Sequence, residues 1–198
     1  MTTVEKPIGL AYMNDVIDDA LQDRALKYLD GLKDEAFHTI TGRGKNHIRI
    51  GYGRPEKGED PVPDELKGLA LAIFTSLKSW AEGDLVDMLV NFDVKNYRLT
   101  VNKYEPGWGL GDHYDTKAGE NAIVIGLTIA ANPEATRRMM FTKKEKNVHG
   151  KKIVHAVLTR PQSAYVFWKD GYTGWQHGSK ADKKQKGRVY SITFRSTC

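Results

Sequence analysis

Tyr97-Arg98-Leu99-Thr100-Val101-Asn102-Lys103-Tyr104-Glu105-Pro106-Gly107-Trp108-Gly109-Leu110-Gly111-Asp112-His113-Tyr114-Asp115 is the stretch on which the fold turns. Tyr97, Leu99 and Val101 alternate with Arg98, Thr100, Asn102 and Tyr104, and a period of two reads as a strand with one apolar and one polar face. Pro106 and the glycines at 107, 109 and 111 then turn the chain. Beyond the turn, His113 and Asp115 are two residues apart, so on a strand both side chains leave the same face and can reach one cation.

Alone, such a tripeptide arises often by chance, and a packed or surface histidine is the commoner outcome. A third ligand changes that balance. His177, in Gly174-Trp175-Gln176-His177-Gly178, supplies it close to the end of a buried strand. Two histidines and one carboxylate with open coordination positions form the facial triad of non-haem Fe(II) oxygenases.

Working outward, residues 122–130 form an apolar run that reads as a buried strand. Residues 138–141, 153–158 and 164–168 are shorter strands, and 189–195 alternates Val, Ser, Thr and Arg with Tyr, Ile and Phe. Upstream, Asn14 can cap a helix with apolar residues at Ile17, Leu21, Ala25, Leu29 and Leu32. Residues 39–55, rich in glycine and base, read as a mobile loop or a twisted hairpin. Asp64 opens a second helix through Leu66, Leu69, Ile73, Phe74 and Leu77 to Trp80. After Gly83 the period changes to two. The expected architecture is α+β, with two supporting N-terminal helices and a lid loop in residues 1–90 and a β-sandwich or barrel in 91–198. No repeat or linker divides the 198 residues, so a single domain is expected.

A hydrophobic fraction of 40% with four Trp, nine Tyr and six Phe fills such a core and excludes wholesale disorder. Mean hydropathy is −0.52, and no apolar stretch is long enough for a bilayer span. The first residues lack a charged-then-apolar leader, and the only cysteine is Cys198, which leaves neither an intrachain disulfide nor a cysteine zinc cluster. An intracellular home, cytoplasm or nucleus, is expected, with no membrane partner, and the chain is expected to be a monomer. Net charge is +5, but unevenly spread. Between 137 and 188 there are 14 Lys or Arg against Glu145, Asp170 and Asp182, while the rest of the chain is acidic on balance. A basic block of this kind suits a polyanion, although lysine-rich solvated loops give the same count.

A 2-oxo acid chelated at the metal needs a cation for its far carboxylate, and arginine forks pair bidentately where lysine gives a point charge. Arg188 and Arg195, flanking Ser191 and Thr193, are the candidates downstream; Asn102 and Tyr104 face the same way on the upstream strand.

Asn102-x-Tyr104-x-Pro-Gly107, Leu110, His113-x-Asp115, the strand at 122–129, Met140-Phe141, Trp175-x-His177 and Ser191-x-Thr-Phe-Arg195 together resemble the AlkB family of Fe(II)/2-oxoglutarate-dependent dioxygenases, in order and over the last half of the chain. More loosely, Arg49-x-x-Tyr52-Gly53 and Pro61-x-Pro63-x-x-Leu66 look like that family's nucleotide-recognition lid and the helix after it. The resemblance implies a double-stranded β-helix, or jelly-roll, core. It implies Fe(II) on His113, Asp115 and His177, and 2-oxoglutarate held by Asn102, Tyr104, Ser191, Arg195 and a second arginine, with O₂ as the other co-substrate.

The sequence departs from the pattern twice. The second arginine usually precedes the last by six residues, a position held here by Val189. Arg188 is one residue early, so it faces inward only if a β-bulge intervenes, and inward is the expectation. Lys117 stands where base-demethylating members often carry an acid, and a lysine cannot accept a base's exocyclic N–H. The activity implied is oxidative demethylation of N-alkylated bases in DNA or RNA, the base flipped beside the metal against His47, Tyr52, Trp108 or Trp175. The alternative keeps the chemistry and changes the substrate to a protein side chain or a pyrimidine methyl group.

Overall fold

The computed structural model describes residues 5–39, 48–90, 92, 97–115, 122–147 and 150–196. The central strand of the quoted stretch is β4 (Tyr97–Tyr104). The short β5 (Leu110–His113) follows, then β6 (Ile123–Ile129), β7 (Arg137–Lys146), β8 (Lys152–Thr159), β9 (Ser163–Trp168), β10 (Trp175–Ser179) and β11 (Val189–Ser196). These eight strands divide between two antiparallel sheets. β9, β6, β11 and β4 lie side by side in one, and β5, β10, β7 and β8 in the other. Apart from the β7–β8 hairpin, successive strands therefore cross between sheets, as in a jelly roll.

The larger sheet is extended by strands from the first half of the chain. β1 (Leu10–Met13) adds to β9 at one edge, and β3 (Ile48–Tyr52) with β2 (His38–Thr39) adds to β4 at the other, which makes seven strands. Residues 1–90 are thus not only helical and loop support. The Arg49-to-Gly53 segment, expected as a lid, is mostly a sheet strand registered from Ile48 on Lys103 to Tyr52 on Leu99.

Helices α1 (Asp19–Gly31) and α2 (Asp64–Trp80) cover the outer face of the larger sheet. α2 places Leu66, Leu69, Ala70, Ile73, Phe74 and Leu77 on one buried stripe, with Asp64 and Glu65 at the positive end of its dipole. Each leucine, isoleucine or phenylalanine among them contributes about 1.5–3 kcal/mol by leaving water. α1 starts four residues later than the Asn14 cap implies. The Asp18 carboxylate accepts the Leu21 N–H at 2.8 Å, and Val16 and Ile17 are buried ahead of the helix. The region after Gly83 also begins with a helix, α3 (Asp84–Val90), whose Leu85, Met88 and Leu89 join the same core. The one-turn α4 (Asp170–Thr173) links β9 to β10.

The core is two-layered. Leu99, Val101, Ile125, Leu127, Ile192 and Phe194 meet the helices, whereas Val124, Phe141, Tyr165, Phe167 and Trp175 pack between the sheets. The second layer opens onto a polar interior. Among the described residues no helix is long and apolar enough to cross a membrane.

Candidate metal centre

β5 and β10 bring the two histidines together. His113 ends β5 and is registered directly on His177 in the middle of β10, with ring centroids 4.4 Å apart. Asp115 follows β5, and its two oxygens lie 3.9 Å from His113 Nε2 and 3.8 Å from His177 Nε2. One ligand atom from each residue falls within 4.8 Å of the others, a spacing that a single cation can close. His113 Nδ1 is 3.0 Å from the Gly111 carbonyl, an acceptor only, so Nδ1 carries the proton and the Nε2 lone pair faces the cluster. His177 is wedged beside Phe167, centroids 4.7 Å apart, which fixes its ring from behind.

Asp115 is held from the other side by Arg195. Nε and Nη2 donate to Oδ2 and Oδ1 at 2.8 and 3.1 Å, a bidentate fork. Burial opposes ionisation of Asp115, but Arg195, His177 and His113 outweigh it and hold the carboxyl well below the usual carboxylate range. The third nitrogen, Arg195 Nη1, is buried and among the described residues has no hydrogen-bond partner, as is true of Arg98 Nε and Thr100 Oγ1 on neighbouring β4. Buried donors left unpaired are uncommon, and these three lie on the interior face of one sheet beside the cluster. Two neutral imidazoles, one carboxylate and spare donors fit Fe(II) with an oxygen-rich chelating co-substrate.

Of the other residues singled out from sequence, Asn102, Tyr104 and Ser191 share that interior face. β11 runs in unbroken register with β4, Ser191 on Asn102 and Val189 on Tyr104, and the Asn102 amide approaches the Ser191 carbonyl at 3.5 Å. That regular register corrects the expectation for Arg188. With no bulge at Val189, Arg188 lies outside the cluster, at the protein surface, where it donates to Glu105 at 2.6 Å and Asp30 at 2.9 Å. Val189 instead packs with Ala130 and Ala135.

Two substrate candidates also sit elsewhere than expected. Tyr52 is 2% exposed in the helix-side core and shares a hydrogen bond with Tyr28, hydroxyl to hydroxyl, at 3.1 Å. Trp175 is fully buried between the sheets, its indole N–H donating to Asp170 at 3.0 Å. Neither offers a ring face to a ligand. Trp108 lies partly exposed in the β4–β5 turn. His47 and Lys117 lie outside the described residues.

Three interior residues carry no motif and escape a reading by pattern. Tyr165 lies across β6 at Gly126, where a Cβ would stand 2.1 Å from its ring, so only glycine admits it. Burial raises its phenol, against the hydroxyls of Ser191 and Thr193 and the charge of Arg195. Arg98 sits among Arg195, Arg54 and Arg49, and burial followed by those charges pushes it down to about 10. Arg137, buried near Tyr104, is the third. A lone glycine within an apolar strand was the available signal for Tyr165; the arginines were hidden among 30 basic residues.

No family model matches the chain. It is 29% identical over 126 residues to the uncharacterized protein L905 of Acanthamoeba polyphaga mimivirus, a match over 56% of each, so the chain spans about half the length of that relative. Among solved structures it is similar to the crystal structure of a prolyl-4-hydroxylase from Pseudomonas putida. The TM-score is 0.60 at 12% identity, covering 95% of this chain and 92% of the other. At that identity the likeness establishes a shared fold.

Proposed function

We propose that this chain is an Fe(II)/2-oxoglutarate-dependent dioxygenase that hydroxylates a side chain of a protein substrate. The observation that carries the reading is the His113–Asp115–His177 cluster, closed by Arg195, inside a jelly roll. His113 and His177 would hold the iron through Nε2 and Asp115 through a carboxylate oxygen. Iron bound there supplies the oxidising chemistry, in which O₂ converts 2-oxoglutarate to succinate and carbon dioxide and the second oxygen atom enters a substrate C–H bond. Arg195 keeps Asp115 ionised and aimed. The Gly111 carbonyl keeps His113 in the tautomer that ligates. Phe167 and Phe141 shield His177 from water on its inner side.

The whole-chain likeness in fold to a prolyl hydroxylase supports a protein substrate over a nucleobase. So does the burial of Tyr52 and Trp175, since a flipped base needs open aromatic faces. Oxidative demethylation of nucleic acid, as the resemblance to AlkB implies, is the second reading. It is favoured by the β7–β8 hairpin, where Lys144, Lys146, Lys151 and Lys152 are exposed together.

Mass spectrometry of products after incubation with Fe(II), 2-oxoglutarate and O₂ separates the two. The expected result is a gain of one oxygen on peptides from a proteome-derived library, no formaldehyde from methylated oligonucleotides, and no succinate from His177→Ala with either. Formaldehyde from oligonucleotides and no modified peptide would transfer the assignment to the second reading. Succinate formation by His177→Ala at the wild-type rate would dismiss the metal site.

A further inference from the structure

β7 opens with two arginines that the strand period separates. Arg138 is exposed, while Arg137 turns inward with Met139 and Phe141 and is only 3% exposed. Its guanidinium lies 3.6 Å from the centroid of the Tyr104 ring. Nε and Nη2 donate to Ser179 Oγ at 2.9 and 2.7 Å, Nη1 to Gln185 Oε1 at 2.6 Å, and Nη2 to the Trp108 carbonyl at 3.2 Å. Every one of these partners is neutral. Among the described residues Arg137 forms no ion pair, and Asp182 acts on it only at longer range.

A buried full charge held by dipoles alone is unusual, because the solvation it loses is normally replaced by an opposite charge. Four of the five guanidinium N–H donors are engaged, and a fifth, on Nη1, remains. Gln185 also donates to the Tyr104 and Gly187 carbonyls, so the whole cradle is rigid and faces inward. A site built this way has the form of an anion receptor.

Its place in the barrel says which anion. Ser179, which Arg137 grips, is two residues beyond His177 on the same face of β10. Two residues along a strand is roughly 7 Å. A five-carbon dicarboxylate chelated through its 2-oxo acid end at the metal extends about that far into the barrel with its other end. The arginine expected there from sequence is absent: Arg188 is outside with two acids, and Val189 faces in. Arg195 is at the metal end, on Asp115.

On the dioxygenase reading proposed above, we infer that Arg137, reaching across from the four-stranded sheet, binds the far carboxylate of 2-oxoglutarate, with the Ser179 hydroxyl beside it. The anion anchor has changed sheets relative to the sequence motif. Val189 and Arg137 then account for each other, since an aliphatic residue on β11 leaves room for a cation arriving from β7.

The test uses the full chain loaded with Fe(II) under argon, titrated with 2-oxoglutarate or with 2-oxopentanoate, which has the same length and no far carboxylate. Binding is read from the visible absorption of the chelate and from thermal shift. Wild type is expected to prefer 2-oxoglutarate by roughly 100-fold or more, the scale of losing one partner of a buried ion pair. Arg137→Gln is expected to bind both acids alike while retaining Fe(II) affinity in chelator competition; Arg188→Gln is expected to keep the full preference. If Arg137→Gln does not fold, Arg137→Lys serves. It keeps a point charge without the planar guanidinium that Ser179, Gln185 and the Trp108 carbonyl hold in place, and should lose roughly 10-fold for 2-oxoglutarate and nothing for 2-oxopentanoate. An undiminished preference in the Arg137 variant that folds overturns the assignment and leaves the dioxygenase reading standing. Wild-type protein that takes up Fe(II) but neither acid overturns both.

Discussion

Along β11, Tyr190, Ile192 and Phe194 point at the helices, whereas Ser191, Thr193 and Arg195 point between the sheets. The same alternation runs through β4, with Leu99 and Val101 on the helix side and Arg98, Thr100 and Asn102 inside, and through β6, where Ile125 and Leu127 flank the inward Gly126. One face is a hydrocarbon surface completed by α1, α2 and α3. The other is a wall of hydroxyls, amides and guanidinium groups, three of whose donors have no hydrogen-bond partner among the described residues. A single register therefore serves stability outward and chemistry inward, and a one-residue slip would exchange them.

The comparison is broken most severely from the apolar side. Phe194 is fully buried with its ring centroid 5.7 Å from that of Tyr97, and Phe194→Ala removes a large side chain from that layer. A loss of roughly 3–5 kcal/mol is expected in urea unfolding. Fe(II) affinity of the folded fraction is expected to stay within about twofold, because no metal-side group moves. A tenfold fall in that affinity would mean that the two faces do not act independently.

How far the two faces are legible in sequence follows from the same alternation. Strands β4, β6 and β11 are written in strict period two or in unbroken apolar runs, and α2 is bracketed between Pro63 and the Ala81-Glu82-Gly83 stop, so spacing alone places them. β10 is not written so: Trp-Gln-His-Gly-Ser has no periodic contrast, because both of its neighbours and the metal cluster set its pattern. β3, with Arg49 and Gly51 inside it and Gly53 just after it, resembles a loop until its pairing with β4 is known. The Glu59 carboxylate, ion-paired to Arg54, folds over Gly51 where a Cβ would collide with it. α1 has Asn14 and Asp18 as competing caps, and burial of Val16 and Ile17 ahead of the helix goes with Asp18. In the site, the triad was legible because its chemistry limits the residue types. Arg137 was not, since it stands in a segment with 14 basic residues and differs from Arg138 only in the face it takes.

A smaller effect tests how the polar face orients the metal ligands. Arg195→Lys keeps a positive charge near Asp115 but loses the planar fork that fixes both carboxylate oxygens. Fe(II) affinity, measured by chelator competition, is expected to fall roughly 10–100-fold, the usual effect of removing a ligand's orienting partner. An unchanged affinity would show that His113, His177 and the backbone orient the site without it.

The smallest effect is expected where β11 begins. Arg188 is 39% exposed and pairs with Glu105 and Asp30, themselves 30% and 46% exposed. Ion pairs so open to water and salt are worth about 1 kcal/mol or less. Asp30 would also keep a partner after substitution, since the Tyr190 hydroxyl donates to it at 2.8 Å. Arg188→Ala is therefore expected to shift urea stability by no more than about 1 kcal/mol, a difference that shrinks further at high salt. Its 2-oxoglutarate affinity should match wild type, because the regular pairing of Val189 with Tyr104 leaves Arg188 no path into the barrel. A tenfold weaker titration would mean that a bulge forms at Val189 in solution and turns Arg188 inward, giving the co-substrate an anchor on β11 and undoing the division of labour between that strand's two faces.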